Sequence, residues 1–251
     1  MKAMILAAGL GTRLRPLTQD RPKALVEVGG RTLLEITIAR LREFGVRELI
    51  VNVHHFAGMI TAYLREKNHF GMRIEISEED VLLDTGGGLK KAAWFFQEEG
   101  PAAPFLLHNV DVISTIDLRR MLDFHLSNRA LATLAVQQRP TSRYLLFDER
   151  MQLCGRRLVK EQKTEIVRPS PPQPQELAFC GIHVISPRLL AMMSEEGVFS
   201  IIETYLRLAG AGERLVAYRA DHDFWRDLGK PESVARAAED LKNQAVLRDD
   251  G

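Results

Sequence analysis

The chain has 251 residues, 45% of them apolar, which is enough to bury a substantial core in one large domain. Its 34 Lys and Arg face 33 Asp and Glu, a formal net charge of +1 that gives no electrostatic case for a general nucleic-acid or membrane-surface binder. No apolar stretch approaches a membrane span and the opening lacks the charged, apolar and small-residue order of a signal peptide, so the expected location is the cytoplasm.

Residues 4 to 8, Met-Ile-Leu-Ala-Ala, form a short continuous apolar segment bounded by Gly9, the pattern of a strand buried on both faces. The turn that follows is Gly9-Leu10-Gly11-Thr12-Arg13-Leu14-Arg15, and Lys23 comes shortly after it. Glycines at the end of a central strand let backbone N–H groups approach a phosphate, and Arg13, Arg15 and Lys23 add neutralising charge. The plainer alternative is a tight turn with solvated basic residues. Two familiar phosphate loops do not fit. A P-loop needs Gly-Lys-Ser/Thr where Gly11 is followed by Thr12-Arg13, and a dinucleotide fingerprint needs a small residue where Leu14 stands.

Residues 32 to 44 then carry a helical apolar pattern ended by Gly45, residues 46 to 53 read as a second buried strand, 56 to 67 as a helix and 73 to 77 as a third strand. This alternation predicts right-handed crossovers and a parallel sheet covered on both faces. Asp84-Thr85-Gly86-Gly87-Gly88 comes next. Three successive glycines cost chain entropy, which favours a backbone that must come close to something, and Thr85 alternatively caps a helix over residues 89 to 97. Residues 104 to 108 are a fourth strand that delivers Asn109-Val110-Asp111 to its carboxyl end. Ligands bind beyond the carboxyl ends of strands in open α/β sheets, so Asp111 is placed either to hold a cation or to form a turn.

Asp117 caps a helix running to about His125, and residues 130 to 137 form another strand. Beyond Arg139 the pattern is irregular, with short β-like runs at 144 to 147 and 153 to 158 and four prolines between 169 and 174 that predict an exposed loop. Cys154 and Cys180, the only cysteines, lack metal-ligand spacing, so neither a zinc site nor a disulfide framework is expected. Adjacent His54 and His55 point to opposite faces of a strand and read as structural. Residues 177 to 185 are strand-like, and Gly181 within them serves either a close approach or a bulge. Two helices near 188 to 194 and 201 to 208, a strand at 214 to 218 and a last helix from Pro231 to about residue 247 complete the pattern.

The opening Leu6-Ala7-Ala8-Gly9-Leu10-Gly11-Thr12-Arg13-Leu14-Arg15-Pro16-Leu17-Thr18, followed by Arg21-Pro22-Lys23-Ala24-Leu25, resembles the signature of the sugar-1-phosphate nucleotidyltransferases. A second match lies far away, where Trp225-Arg226-Asp227-Leu228-Gly229-Lys230-Pro231 resembles the family's W-x-D-x-G-x-P motif, and Phe179-Cys180-Gly181-Ile182 resembles its F-x-G-I segment. Many relatives have Gly-Asp where this chain has Val110-Asp111.

The resemblance implies a three-layer, Rossmann-like α/β sandwich with a mixed, mostly parallel sheet, similar to glycosyltransferase A. It implies one domain over residues 1–251, with a nucleotide-binding core at 1–137, a sugar-side variable region at 138–186 and a closing part at 187–248. The implied reaction joins a sugar 1-phosphate to a nucleoside monophosphate taken from a nucleoside triphosphate, with loss of pyrophosphate. Arg13 and Lys23 would be catalytic, and Asp111 with Asp227 would hold Mg²⁺. Leu6, Ala7, Ala8, Gly9, Gly11, Thr12, Glu79, Thr85, Gly86, Gly87 and Asn109 would bind the nucleotide, with Gly86 and Gly87 against the base or ribose. Glu79 would read the base edge, or else be a solvated loop carboxylate. Gly181 would lie against the sugar. Short length and the Thr-Gly-Gly-Gly run favour a uridylyltransferase using UTP and an N-acetylated sugar 1-phosphate. Guanylyl-, thymidylyl- and cytidylyltransferases and a non-catalytic nucleotide sensor are the rivals. A monomer or homodimer is expected, without nucleic-acid partners.

Overall fold

The structure is a computed structural model and describes residues 1–97, 103–169 and 171–239. The chain opens with β1 (Lys2–Leu6), a small hairpin of β2 (Glu27–Val28) and β3 (Arg31–Thr32), α1 (Leu33–Glu43), β4 (Glu48–Val53), α2 (Ala57–Glu66) and β5 (Arg73–Glu78). It continues through α3 (Asp84–Lys91), α4 (Ala93–Phe96), β6 (Phe105–Asn109), β7 (Val112–Ser114), α5 (Leu118–Ser127) and β8 (Ala132–Gln137). Then come β9 (Arg143–Phe147), β10 (Leu153–Leu158), β11 (Lys163–Ile166), β12 (Gln175–Ile185), α6 (Arg188–Ala191), α7 (Ile201–Gly210), β13 (Leu215–Arg219) and β14 (Trp225–Asp227). A helix over residues 231–239, α8, ends the described chain, and the expected continuation to residue 247 lies outside the described residues.

The main sheet is mixed, as expected. Along its path the order is β11-β10-β9-β12-β6-β1-β4-β5, with β8 joining β12 to β13 beside it. The ladders among β6, β1, β4 and β5 and between β8 and β13 are parallel, while β12 runs antiparallel to β6, β8 and β9. Alternation along β1 shows why both faces are covered. Ala3 and Ile5 join a core with Leu34 and Ile38 of α1, Ile60 of α2 and Met121 of α5. Met4 faces the opposite core with Leu89, Phe95 and Tyr205 of α3, α4 and α7. All three β1 residues are fully buried, which is the environment a continuous apolar run requires. Residues 143–166, irregular in sequence, pair as β9, β10 and β11 and extend the same sheet.

One expected boundary moves. The glycine run is helical: α3 starts at Asp84 and carries Gly86, Gly87 and Gly88, all buried, in its interior. Glycine is a poor helix former, and its presence is explained by packing. A Cβ on Gly86 would lie 2.3 Å from the Phe199 ring, and one on Gly87 would lie 2.5 Å from the Gly197 carbonyl oxygen. The Gly86 and Gly87 N–H groups both donate to the Phe199 carbonyl. Thr85 caps the start of α7, accepting from Ile201 N at 3.0 Å, and not the helix expected over residues 89 to 97. No helix among the described residues is long and apolar enough to cross a membrane.

Candidate active site

The parallel strands β6, β1 and β4 end side by side, and a cavity of about 450 Å³ opens beyond them, lined by Leu6 to Gly9, Asn109 to Asp111 and Lys23. The backbone turns sharply at Gly11, where φ is +65°, and Thr18 Oγ1 donates to the Gly11 carbonyl at 2.8 Å to hold the loop. A side chain at Gly11 would lie 3.0 Å from the Thr18 methyl and 3.3 Å from Lys23 Cβ, whereas a Cβ on Gly9 would meet nothing within 4 Å. Gly11 therefore closes the loop on itself and Gly9 leaves space beside the cavity. Gly9 to Leu14 with Lys23 line a second recess of about 320 Å³, which shares Gly9 and Lys23 with the first.

Lys23 starts a short 3₁₀ turn after Pro22, and its ammonium ion-pairs with Asp111, 88 positions away. Both side chains are mostly buried, 12% and 16% exposed. Asp227 arrives by a separate route. β14 pairs antiparallel with β7, placing Asp227 opposite Val112, and Leu228 N donates to the Asp111 carbonyl at 2.8 Å. The Asp227 carboxylate accepts from Gly229 N at 2.6 Å. A Cβ on Gly229 would collide with both Asp227 Oδ1 at 2.6 Å and Arg13 Nη2 at 2.8 Å, so the arginine and the aspartate flank this one glycine. The two halves of the chain thus meet where Arg13, Lys23, Asp111 and Asp227 were expected to act together. Val110 fits without glycine's freedom: it is 4% exposed, outside the positive-φ residues, and donates through its N–H to the Leu6 carbonyl.

Three of the expected nucleotide-binding residues, Glu79, Gly86 and Gly87, lie elsewhere than expected. Glu79 is 2% exposed and fully engaged: one oxygen accepts from Asn52 Nδ2 at 2.6 Å, the other from Leu83 N at 2.9 Å. It is therefore not a solvated loop carboxylate, and it does not line the cavity. Asn52 in turn accepts from Ala7 N at 2.8 Å and lines the cavity, so the pair sets the backbone that follows β1. Gly86 and Gly87 are committed to the α3 packing described above and are absent from the cavity lining, which takes Asp84 and Thr85 from that helix instead. Thr12 and Gly11 line the second recess and not the main cavity. Asn52 and Asp84 were missed in the sequence. The signal for Asn52 was a polar residue inside the otherwise apolar Leu49-Ile50-Val51-Asn52-Val53.

Gly181 sits at a bulge and packs closely on Asn109. It lies in β12 where the pairing with β8 shifts between Phe179 and His183, with φ of +73°. A Cβ there would be 2.8 Å from Asn109 Nδ2. Gly181 and Asn109 line a wider hollow of about 830 Å³ on the far side of Asn109 from the first cavity. Arg13 and Asp227 also line this hollow. A groove with cationic and acidic side chains at its centre and a hollow on either side suits two phosphate-bearing ligands meeting end to end. Asp111 and Asp227 offer hard oxygen ligands of the kind Mg²⁺ takes. Among the described residues no group of three or more His, Cys, Asp or Glu side chains could by itself enclose a metal.

Known proteins resemble this chain over nearly its whole length. The N-acetylmuramate alpha-1-phosphate uridylyltransferase of Caulobacter vibrioides is 34% identical over 242 residues, 94% of each chain. The mannose-1-phosphate guanylyltransferase of Mycobacterium tuberculosis is 27% identical, over 95% of this chain and 64% of its own. Among solved structures, a putative glucose-1-phosphate thymidylyltransferase from Bacillus anthracis superposes with a TM-score of 0.78 at 18% identity, covering 95% of this chain and 94% of that one. HddC from Yersinia pseudotuberculosis, complexed with GMP-PN, does so with a TM-score of 0.74 at 21% identity, covering 96% and 99%. These two structures share the fold. The sequence pattern of the nucleotidyl transferase family matches residues 2–244, and with the cationic loop and the mixed sheet in place, the chain belongs to that family as a sugar-1-phosphate nucleotidyltransferase.

Proposed function

We propose that this enzyme is a Mg²⁺-dependent uridylyltransferase that converts UTP and N-acetylmuramate 1-phosphate, or a related N-acetylhexosamine 1-phosphate, into the UDP-sugar and pyrophosphate. The observation that carries the reading is the Lys23–Asp111 pair at the wall shared by the nucleotide-sized cavity and the phosphate recess, together with a relative of that activity matching from end to end.

The sugar-phosphate oxygen attacks the α-phosphorus, the bond from that phosphorus to the bridging oxygen breaks, and pyrophosphate leaves. The attacking phosphate is already ionised, so no side chain has to remove a proton. What the chain supplies is position and charge. Arg13 and the N–H groups of residues 9 to 13 hold the β- and γ-phosphates. Lys23 reaches the α-phosphate and the incoming phosphate, exchanging its contact with Asp111 for them. Asp111 and Asp227 would hold the metal, which when bound would neutralise phosphate charge. Leu6 to Ala8, held by Asn52, form the floor of the nucleotide cavity. Nucleoside triphosphates are substrates of the cytoplasm, and the reaction belongs there.

Guanylyl transfer is the second reading, favoured by the mannose-1-phosphate guanylyltransferase match. Pyrophosphate release measured for each nucleoside triphosphate against a set of sugar 1-phosphates decides between them. UTP with an N-acetylated sugar 1-phosphate is expected to give the highest kcat/KM, and chelation of divalent ions to abolish it. Preference for GTP with mannose 1-phosphate would transfer the reading to the rival, and turnover in no combination would leave a nucleotide sensor.

A further inference from the structure

The 830 Å³ hollow beyond Asn109 is more basic than a sugar phosphate needs. Arg13, Arg139, Arg143, Arg226 and Lys230 line it with a single carboxylate, Asp227. Arg13 and the nearby metal ligands account for phosphate charge. Arg139, on the segment that links β8 to β9, and Arg143, the first residue of β9, lie apart from them, and neither forms an ion pair with a protein carboxylate among the described residues. On the neighbouring strand β10, Arg156 is paired with Glu165 and Arg157 with Glu176.

Arg139 is also held rigidly. Its guanidinium sits 3.6 Å from the centre of the Trp225 ring, and its Nη2 donates to the Phe179 carbonyl at 2.8 Å. Trp225 is fixed in turn, donating from Nε1 to the Cys180 carbonyl at 2.7 Å. Arg139 Nε has no hydrogen-bond partner among the described residues. A ring face and one carbonyl orient this cation and leave its charge uncompensated, and a planar guanidinium fork matches a carboxylate.

We infer that Arg139, assisted by Arg143, is a specificity-determining residue that reads a carboxylate on the sugar, so that the substrate class is an acidic sugar 1-phosphate. The inference rests on the sugar-1-phosphate reading of the groove. A neutral sugar would leave Arg139 and Arg143 facing a desolvated ligand without an anion.

The test uses binding, so that it stands apart from turnover. The chain has two tryptophans, Trp94 and Trp225. Trp94 is 47% exposed and outside the groove lining, so in a Trp94→Phe background Trp225 fluorescence reports ligand in the hollow directly. N-acetylmuramate 1-phosphate and its carboxamide, nearly isosteric but with the anionic oxygen replaced by a neutral NH₂ group, are titrated as probes. The acid is expected to bind about 10- to 100-fold more tightly than the amide, the range of a charge-assisted hydrogen bond. Arg139→Gln and Arg139→Lys should each collapse that ratio, and the exposed Arg143→Gln should reduce it without touching the Trp225 stack. Equal affinity for acid and amide in the unsubstituted background would overturn the inference, as would an unchanged ratio in both Arg139 variants or equal loss for both ligands. A preference for the acid without pyrophosphate release in any assay would uphold the acid reader and defeat the proposed reaction.

Discussion

Lys23 and Asp111 lie 88 positions apart in sequence and touch in the folded chain, each with little solvent around it. Removing either leaves the strand ends in place; on the proposed roles Lys23→Ala withdraws a cation from the phosphates and Asp111→Ala a ligand from the metal, so each is expected to lower kcat by about 100- to 1000-fold. Steady-state kinetics alongside circular dichroism checks this, and a folded variant with normal kcat would refute the role. A second residue-scale expectation concerns His125, which is 1% exposed and bonded to the Thr133 and Ser186 hydroxyls. Burial lowers its pKa to about 4, from 6.5. Burial also lowers that of His183, which bonds Tyr205 and lies near His108, to about 3. The folded state therefore favours the neutral rings. Their contribution is complete above pH 6.5 and is lost as pH falls from there toward 4, because the unfolded chain binds the extra protons. Urea unfolding over that window should show His125→Gln with a shallower pH slope, by up to about 1.4 kcal/mol per pH unit, and identical slopes would contradict it. The convergence of Arg13, Lys23, Asp111 and Asp227 on one groove was legible because their motifs are ordered and dense. Glu79 was not, since nothing in a Ser-Glu-Glu-Asp run marks which carboxylate turns inward to hold Asn52.

At the scale of elements, α3 shows local preference yielding to packing. Gly87→Ala would gain about 1 kcal/mol of helix propensity, yet the new methyl would press on the Gly197 carbonyl, an overpacking that costs about 1–3 kcal/mol. The clash is expected to dominate, with a lower Tm by thermal unfolding; a raised Tm would mean that the 197–199 segment yields freely. Gly9→Ala meets no neighbour within 4 Å, so it should fold with an unchanged Tm while weakening triphosphate binding measured by calorimetry. Strands β1, β4, β5 and β6 and helices α1, α2 and α5 were readable from their apolar period, which capping reinforces in α1 and α5, with Thr32 accepting from Glu35 N and Asp117 from Arg119 N and Arg120 N. The glycine-rich helix was not readable, because its cause is the Phe199 carbonyl and ring, over a hundred positions later.

At the scale of the whole molecule, the sheet divides the labour. Its parallel half presents strand ends to a nucleotide, and its antiparallel half, built on the long β12, walls the hollow on the other side of Asn109. The parallel half follows from alternating strands and helices in the first 137 residues. Of strands β9 to β11, the first two were legible as short β-like runs, whereas β11 escaped the sequence because polar and charged residues such as Lys163, Thr164 and Glu165 occupy it, and it is held by its ladder to β10 and the Arg156–Glu165 ion pair. The central claim is that this groove moves the α-phosphoryl nucleotide of UTP onto a sugar phosphate. Parallel reactions with UTP labelled with ³²P at the α- or at the γ-position test it most directly. The account predicts that the α-label appears in the UDP-sugar and the γ-label in pyrophosphate, with neither transfer in Lys23→Ala; γ-label on the sugar, or label remaining wholly in UTP, would contradict it.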